Sequence, residues 1–251
     1  MRSRTWLLLL ASTMLLLLAY SGVTSGYFSD VETSTDNVLR VKNAPLFGAA
    51  DSFLILAGST ITNTNSTTVG SAAAPGDIGL HPGTDVTGYD LIEHYGYLYV
   101  NDTVAAQAKV DLTTAYNDAV ARTSPFPPVT GDTLGGKTLV PGVYDGGALD
   151  LTGTLILDGG GDTEAVWIIR ATTTLITAAS SHVVLNGGAR ATNVYWAVGS
   201  SATLGASSTF KGNIMALTSI TVGALAEIDG RALAQEGAVT LDSNSITKPA
   251  P

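Results

Sequence analysis

One pattern recurs along the stretch NVYWAVGSSATLGASSTFKGNIMALTSITVGALAEIDGRALAQEGAVTLDSN (193–244). An apolar string, a shorter alternating string and a third short string follow one another, separated by Gly, Ser and Asn corners. The apolar strings begin at positions 193, 213 and 231, so their spacing is nearly constant. Such a period, with three short strands in each repeat, is typical of a β-solenoid coil with three faces.

Earlier coils of the same kind precede this stretch, at GVYDGGALDLTGTLILDGGG (142–161) and from AVWIIR (165–170) onward. About six coils at ~4.8 Å per strand predict a stack about 29 Å long. The first strings are apolar in both alternation phases. That pattern is typical of a sheet that is buried on both sides, so another element should cover it.

The covering element is predicted to be a helix over residues 101–122. Apolar residues recur there at steps of three and four, namely Val104, Ala108, Leu112, Ala115 and Ala119. Asn101 or Asp102 can cap the start, and prolines at 125, 127 and 128 prevent continuation. At ~1.5 Å per residue the segment is about 33 Å long, so we expect it to lie along the solenoid axis over the first face.

The second and third strings differ in what they point outward. In the second strings, apolar residues such as Leu204 and Val222 occupy the inward phase. The outward phase is small or β-branched, and we expect it to present Thr174, Ile176, Ser201, Thr203, Ser219, Thr221, Ala238 and Thr240. The third strings point charges outward at Lys211, Glu227 and Asp229, as an ordinary solvated face does.

Composition excludes several classes of protein. Charged residues make up 13% of the chain, about half the usual share, which excludes a coiled coil or a charged tail. The net charge of −9 disfavours nucleic acid and anionic membranes as partners, because phosphate binding needs clustered Lys and Arg. The absence of cysteine excludes disulfides, thiol catalysis and thiolate metal sites.

A signal peptide is predicted over residues 1–25. Arg2 and Arg4 form a basic start, and the apolar run over 6–18 is too short to span a bilayer. Residues 26–44 are polar and predict an arm or linker, so that the solenoid domain occupies 45–248 and the mature protein is soluble and secreted. An uncleaved N-terminal anchor is the alternative.

Motifs for catalysis or metal binding are weak. His81, His94 and His182 lie in separate segments without ligand spacing, and GDIG (76–79) and GDTLGG (131–136) lack the spacing of a calcium loop. The run DGGGDTEA (158–165) lacks the Lys-Ser/Thr of a phosphate loop. A solenoid enzyme that acts on carbohydrates is a further possibility left open by the sequence. It would need carboxylates paired across coils, from among Asp150, Asp158, Glu227 and Asp229, with Lys211 and Arg231 as the nearest basic partners.

The second face remains as the candidate functional surface. Threonine carries a methyl and a hydroxyl with little rotamer freedom, and rows about 4.7 Å apart can order surface water. Methyl groups restrict first-shell water, while hydroxyls hold it through bridging hydrogen bonds. The alternative is a plain solenoid side, since threonine is a good strand former.

The sequence resembles the secreted ice-binding (antifreeze) proteins built as a discontinuous right-handed β-solenoid with one long helix. The carrying segments span nearly all of the predicted mature chain and include LFGAADSFLILAGSTITNT (46–64), GDIGLHPGTDVTGY (76–89), AAQAKVDLTTAYNDAVART (105–123), LGGKTLVPGVY (134–144), LTGTLILDGGGDTEAVWII (151–169), 193–222 and GRALAQEGAVTLDSN (230–244). The resemblance implies a mainly β fold, a right-handed three-faced β-solenoid (β-helix) with one long α-helix packed along one face. It also implies extra strands from the segment around 47–90.

The resemblance implies that the second face meets ice, without an enzymatic activity, a metal or a cofactor. The ice-binding residues carried over are Thr174, Ile176, Ser201, Thr203, Ser219, Thr221, Ala238 and Thr240, with Thr84 and Thr87 added from GTDVTGY. Ile176 and Asp242 depart from the pattern. The expected partner is an ice-crystal surface. We expect the protein to bind it as a monomer, and we expect neither nucleic acid nor a membrane as a partner. The alternative from another class is a structural or adhesive cell-surface module, suggested by the fibre-protein-like stretch 26–37.

Overall fold

Short parallel strands form the framework of the structure, a computed structural model that describes residues 44–249. The predicted signal peptide and all of the predicted arm except Ala44 lie outside the described residues. Every strand pairing in the described part is parallel, as a solenoid requires.

The described strands are, in chain order, β1 (Phe53–Ala57), β2 (Thr60–Thr64), β3 (Thr67–Val69), β4 (Asp77–Leu80), β5 (Asp85–Thr87), β6 (Ile92–His94), β7 (Leu98–Val100), β8 (Thr138–Leu139), β9 (Gly142–Gly146), β10 (Leu149–Leu151), β11 (Thr154–Asp158), β12 (Trp167–Ala171), β13 (Leu175–Thr177), β14 (His182–Asn186), β15 (Val194–Val198), β16 (Ala202–Leu204), β17 (Thr209–Ala216), β18 (Ile220–Val222), β19 (Glu227–Ala234), β20 (Val239–Asp242) and β21 (Ser245–Thr247). The helices are α1 (Thr103–Ala121) and four short 3₁₀ helices, Gly48–Ser52, Tyr89–Leu91, Thr130–Asp132 and Ala191–Asn193.

The strands stack into three faces. The helix face runs in the order β9, β12, β15, β17, β19, β1, β4, β7, and the third face in the order β8, β11, β14, β17, β19, β21, β3, β6. The flat face is a separate seven-stranded sheet within the described chain, in the order β10, β13, β16, β18, β20, β2, β5. The stack is therefore taller than the six coils that the repeat predicted.

The additional coils come from the N-terminal part of the chain. The strands β1, β2 and β3 pair with β19, β20 and β21, and β4, β5 and β6 form the next layer. The first strands in sequence thus extend the solenoid beyond its last coil. We call this contact between β1–β3 and β19–β21 the junction.

The helix α1 covers the helix face along the stack, as predicted, since it contacts β7 near one end and β12 and β15 nearer the other. Asp102 caps its start, where the Asp102 carboxylate accepts a hydrogen bond from the Ala105 backbone N–H at 2.8 Å. The prediction that Val104 faces the sheet was wrong: Val104 is exposed and Ala105 is buried. Neither α1 nor another helix among residues 44–249 is long and apolar enough to cross a membrane.

Two apolar layers hold the described part of the solenoid together. The inner core lies between the three faces and contains Trp167, Trp196 and Phe210. The second layer fills the space between α1 and the helix face, where Leu112 and Tyr116 of the helix meet Ile168, Tyr195 and Met215 of the strands. The helix face is thus buried on both sides, as the two-phase apolar pattern of its strands predicted.

A lysine lies inside this second layer. The Lys109 Nζ donates hydrogen bonds to the backbone carbonyls of Ala234, at 2.5 Å, and Gln235. Burial lowers the pKa of Lys109 from 10.5 to about 8. The charged form is therefore less favourable in the folded chain than in the unfolded chain.

The buried lysine predicts a particular pH dependence of stability. Between pH 8 and 10.5 the unfolded chain still holds the Lys109 proton that the folded chain has released, so the free energy of unfolding rises with pH. Relative to Lys109→Met, wild-type stability should increase across this window by roughly 3 kcal/mol, at ~1.4 kcal/mol per pKa unit. Urea unfolding of both proteins from pH 7 to 11 measures the difference, and parallel curves would contradict the prediction.

Candidate functional site

The flat face takes its shape from strict alternation in its strands. In β13, β16 and β18 the two outer residues are buried and the middle residue is exposed. The apolar residues turned inward, for example Leu204 and Val222, anchor each strand in the core. Each strand therefore presents a single central side chain to solvent, and the stack turns these side chains into a column.

The central column contains five threonines in succession within the described sheet. Register pairs join Thr203 to Thr221, Thr221 to Thr240, Thr240 to Thr62, and Thr62 to Thr87. Ile176 extends the column beyond Thr203, and Asp150 ends it. Neighbouring members are about 4.8 Å apart, the usual strand spacing, so the methyl and hydroxyl groups form a regular row.

A second column runs beside the first, at the residue that directly precedes β13, β16, β18 and β20 and at the first residue of β2. Its small side chains are Thr174, Ser201, Ser219, Ala238 and Thr60. The hydroxyl of Ser201 accepts a hydrogen bond from the Ser219 backbone N–H at 3.3 Å, and that of Ser219 accepts one from the Ala238 backbone N–H at 3.2 Å. These bonds tie successive coils together and hold the second column in place.

Charges lie only at the borders of the described flat face. Asp150 occupies the strand at one end, and Asp85 pairs with Thr60 at the other end. Asp242 lies at the corner beside Thr64, where its carboxylate accepts a hydrogen bond from the Asn65 side-chain amide at 2.8 Å. The outward positions of β13, β16, β18 and β2 carry no ionisable group.

Most of the predicted residues come together on this surface. Thr203, Thr221, Thr240, Thr87 and Ile176 lie in the central column, while Thr174, Ser201, Ser219 and Ala238 lie in the second. Thr84 is the exception, because it precedes β5 and Asp85 takes the position opposite Thr60. Ile176 is 49% exposed, as its outward assignment requires.

Two members of the surface were missed by the sequence-based prediction. Thr62 lies between Thr240 and Thr87 in the central column, and Thr60 lies in the second column. Their signal was the alternation in TITNT over β2, where Ile61 and Asn63 are buried and the threonines face outward. The repeat could not reveal their neighbours, because β2 pairs with β20, which lies near the other end of the chain.

The other candidate groups have separate surroundings in the described part of the chain. No three His, Asp or Glu side chains within 44–249 lie close enough to hold a metal ion. His94 contacts the Tyr89 hydroxyl and the Gly76 carbonyl, and burial lowers its pKa. Of the carboxylates considered on the third face, Asp229 forms an ion pair with Lys211 at 3.3 Å. Arg231 lies buried between the helix face and the 3₁₀ helix Gly48–Ser52, away from those carboxylates.

Comparisons with known proteins agree with this architecture. The sequence profile of the ice-binding-like family matches residues 55–247. The ice-binding protein of Nostoc sp. (strain HG1) is 43% identical over 222 residues, which cover 88% of this chain and 78% of that protein. The ice-binding protein of Flavobacterium frigoris (strain PS1) is 34% identical, over 80% of this chain and 75% of its own.

Solved structures of ice-binding proteins share the fold. One from an Antarctic biological consortium superimposes with a TM-score of 0.80 at 40% identity, and covers 87% of this chain and 97% of its own. Another, from the Antarctic ascomycete Antarctomyces psychrotrophicus, has a TM-score of 0.78 at 41% identity, and covers 83% of this chain and 100% of its own. The region that matches the family profile contains every strand from β2 to β21, and so the whole flat face.

Proposed function

Because the chain belongs to the ice-binding-like family, we propose that it is an ice-binding protein that adsorbs to ice crystals through the flat face. The observation that carries the proposal is the row of five threonines on a seven-stranded sheet whose charged side chains lie only at its borders. The protein acts without catalysis or cofactor, as a monomer outside the cell. The basic start and apolar run of residues 1–25 support export.

The physical basis is the arrangement of water over the threonine row. Each methyl restricts the orientation of nearby water, and each hydroxyl fixes a water through a hydrogen bond. Regular spacing of about 4.8 Å along a sheet lets these waters form an ordered layer that can join a crystal. Hydrogen bonds between neighbouring strands already order the sheet, so little conformational entropy is lost when the face contacts ice.

Adsorption explains inhibition of crystal growth. Ice can advance only between bound molecules, where its front becomes curved and further growth is less favourable. Thermal hysteresis and ice recrystallisation assays at micromolar protein test the proposal. Growth arrest and persistence of small crystals are the expected results, and normal growth and coarsening would reject the proposal.

A structural or adhesive surface module is not favoured as an alternative. The stretch 26–37 that suggested it lies outside the described residues, while the relatives that match most of the chain are named ice-binding proteins. Nothing in the described part of the chain adds support for a filament subunit. Electron microscopy of the secreted protein would reveal ordered filaments if that alternative applied.

Ile176 gives a prediction of increased activity. Its side chain occupies the position next to Thr203 at the end of the threonine row, so Ile176→Thr should lengthen the row from five threonines to six. We expect the protein concentration needed to inhibit recrystallisation to fall roughly twofold, or ~0.4 kcal/mol at 1.4 kcal/mol per tenfold. Val184→Thr, an exposed apolar position on β14 of the third face, is the matched control. Equal gains from both variants would contradict the prediction.

A further inference from the structure

Arg231 is a buried residue that connects the N-terminal coils to the last coil. It lies in β19, directly before Ala232 and Leu233, which pair with Ile55 and Leu56 of β1. Its side chain is 4% exposed, although arginine is rarely buried without partners. The contacts of this guanidinium therefore bear on how the junction is held.

The guanidinium joins three separate parts of the chain. One terminal nitrogen donates to the Asn213 side-chain oxygen at 2.7 Å, and Asn213 in turn donates to the Val194 carbonyl at 3.1 Å. The other terminal nitrogen donates to the Asp51 backbone carbonyl at 2.8 Å and to its carboxylate at 2.6 Å. The Phe47 ring lies against the guanidinium, with its centroid 5.2 Å away.

The chain runs from Asp51, which Arg231 binds, through β1 and one turn into β2, which carries part of the threonine row. Asp51 lies two residues before β1, whose pairing with β19 sets the position of the following turn. In that turn the backbone N–H groups of Gly58 and Ser59 both donate to the Gly237 carbonyl, at 2.9 and 3.1 Å. The chain then enters β2, where Thr62 pairs with Thr240 on one side and Thr87 on the other.

We propose that Arg231 is a positioning residue of the ice-binding surface, which holds the N-terminal coils in register so that Thr62 and Thr87 complete the row begun by Thr203, Thr221 and Thr240. This inference rests on the proposed function. The strands β2 and β5 belong to the N-terminal coils. On the flat face these coils join the repeats where β2 pairs with β20, a strand distant in sequence. Opening at the junction would therefore remove two of the five threonines while leaving the three of the repeats in place.

Local opening at the junction is expected because stability is not uniform along a solenoid. Each coil contacts only its neighbours, and coils can open separately from the remainder. Removing the guanidinium leaves the Asn213 oxygen and the Asp51 carbonyl without their partners. The N-terminal coils should then open more often than the repeats do.

The test compares Arg231→Met and Arg231→Lys with Arg170→Met. Arg170 is a matched control, because it holds Asp145 at 2.5 Å and the carbonyls of Val120 and Arg122, far along the stack from the junction. Amide hydrogen exchange is measured in β2 and β5 and in β16 and β18, together with the concentration that inhibits ice recrystallisation. Arg231→Met should speed exchange in β2 and β5 by about tenfold or more, with little change in β16 and β18.

The same variant should raise the inhibitory concentration about fivefold or more, which corresponds to ~1 kcal/mol. Arg231→Lys should restore part of both properties, because one donor and the charge remain near Asp51. Arg170→Met should leave exchange in β2 and β5 unchanged. If Arg231→Met does not fold, Asp51→Ala provides the same comparison, since the Asp51 side chain is 62% exposed.

The outcomes separate the two proposals. Equal acceleration of exchange in all four strands, or none in β2 and β5, would overturn the positioning role. Faster exchange in β2 and β5 with unchanged recrystallisation inhibition would also overturn the positioning role. In that case Arg231 would hold the junction, but ice binding would not depend on the junction. A wild-type protein without activity on ice would overturn the proposed function itself, while the exchange measurement would still report on the junction.

Discussion

Thr221→Tyr should reduce thermal hysteresis at equal protein concentration by at least about tenfold, or ~1.4 kcal/mol of adsorption free energy. Thr221 lies in the centre of the flat face, between Thr203 and Thr240. A tyrosine there would project beyond its neighbours and hold the other threonines away from a crystal surface that cannot deform. Because the side chain is exposed, the free energy of unfolding should change by less than about 0.5 kcal/mol.

A threonine on the third face is the matched control for this prediction. Thr247 is exposed in β21, one coil from β18, and its surroundings include the charged pair Lys211 and Asp229. Thr247→Tyr introduces the same ring on a strand of the same solenoid and should leave hysteresis unchanged. Loss of hysteresis in Thr247→Tyr together with full activity in Thr221→Tyr would show that ice binding had been assigned to the wrong face.

Gly230→Ala should destabilise the protein by about 3 kcal/mol or more. Gly230 lies where β19 bends from the third face to the helix face, with a φ of +154°. A Cβ at this position would lie 1.8 Å from the Gly212 backbone oxygen of the neighbouring coil. Both groups belong to stacked backbones, so neither can move without separating the coils.

The contribution of this close approach can be separated from that of the backbone dihedral. Gly153 also has a positive φ, +85°, but a Cβ there would meet no atom within 4 Å. Gly153→Ala should therefore cost only the ~1–2 kcal/mol of a left-handed conformation. Urea unfolding of both variants gives the comparison. Equal losses would indicate that coil stacking at Gly230 is looser than the structure requires.

The repeating part of the molecule is predictable from sequence because its contacts follow the chain. Each coil of residues 193–244 lies on the preceding one, so a nearly constant period indicates both the strands and their neighbours. The alternation in β16 and β18 then shows which side chains face outward. The ice-binding resemblance and the mainly β fold with one helix are confirmed by the family match and the solved structures.

The junction marks where such reasoning ends. No local pattern indicates that β2 pairs with β20, since the two strands are distant in sequence and belong to no shared repeat. Thr62 was missed for this reason. The environment of Arg231 was mispredicted for a related reason. The strand pattern placed Arg231 near surface carboxylates, whereas its partner Asp51 comes from the same distant N-terminal segment.

The helix shows a smaller limit of the same kind. The predicted apolar stripe of α1 begins at Val104. In the structure Val104 faces solvent, and Ala105 and Lys109 face the sheet. An alanine and the aliphatic part of a lysine both fit a close helix-to-sheet contact, where the lysine amine reaches the carbonyls of β19 and the following turn. Hydrophobicity alone ranks valine first and so misplaces the start of the stripe.

Partition of the wild-type protein into a slowly growing ice ball shows whether the threonine row binds frozen water. We expect the protein to become concentrated in the ice relative to the surrounding liquid, and Thr221→Tyr to stay in the liquid under the same conditions. Exclusion of the wild-type protein from the ice, at the level of an unrelated soluble protein, would contradict the claim that the threonine row binds frozen water.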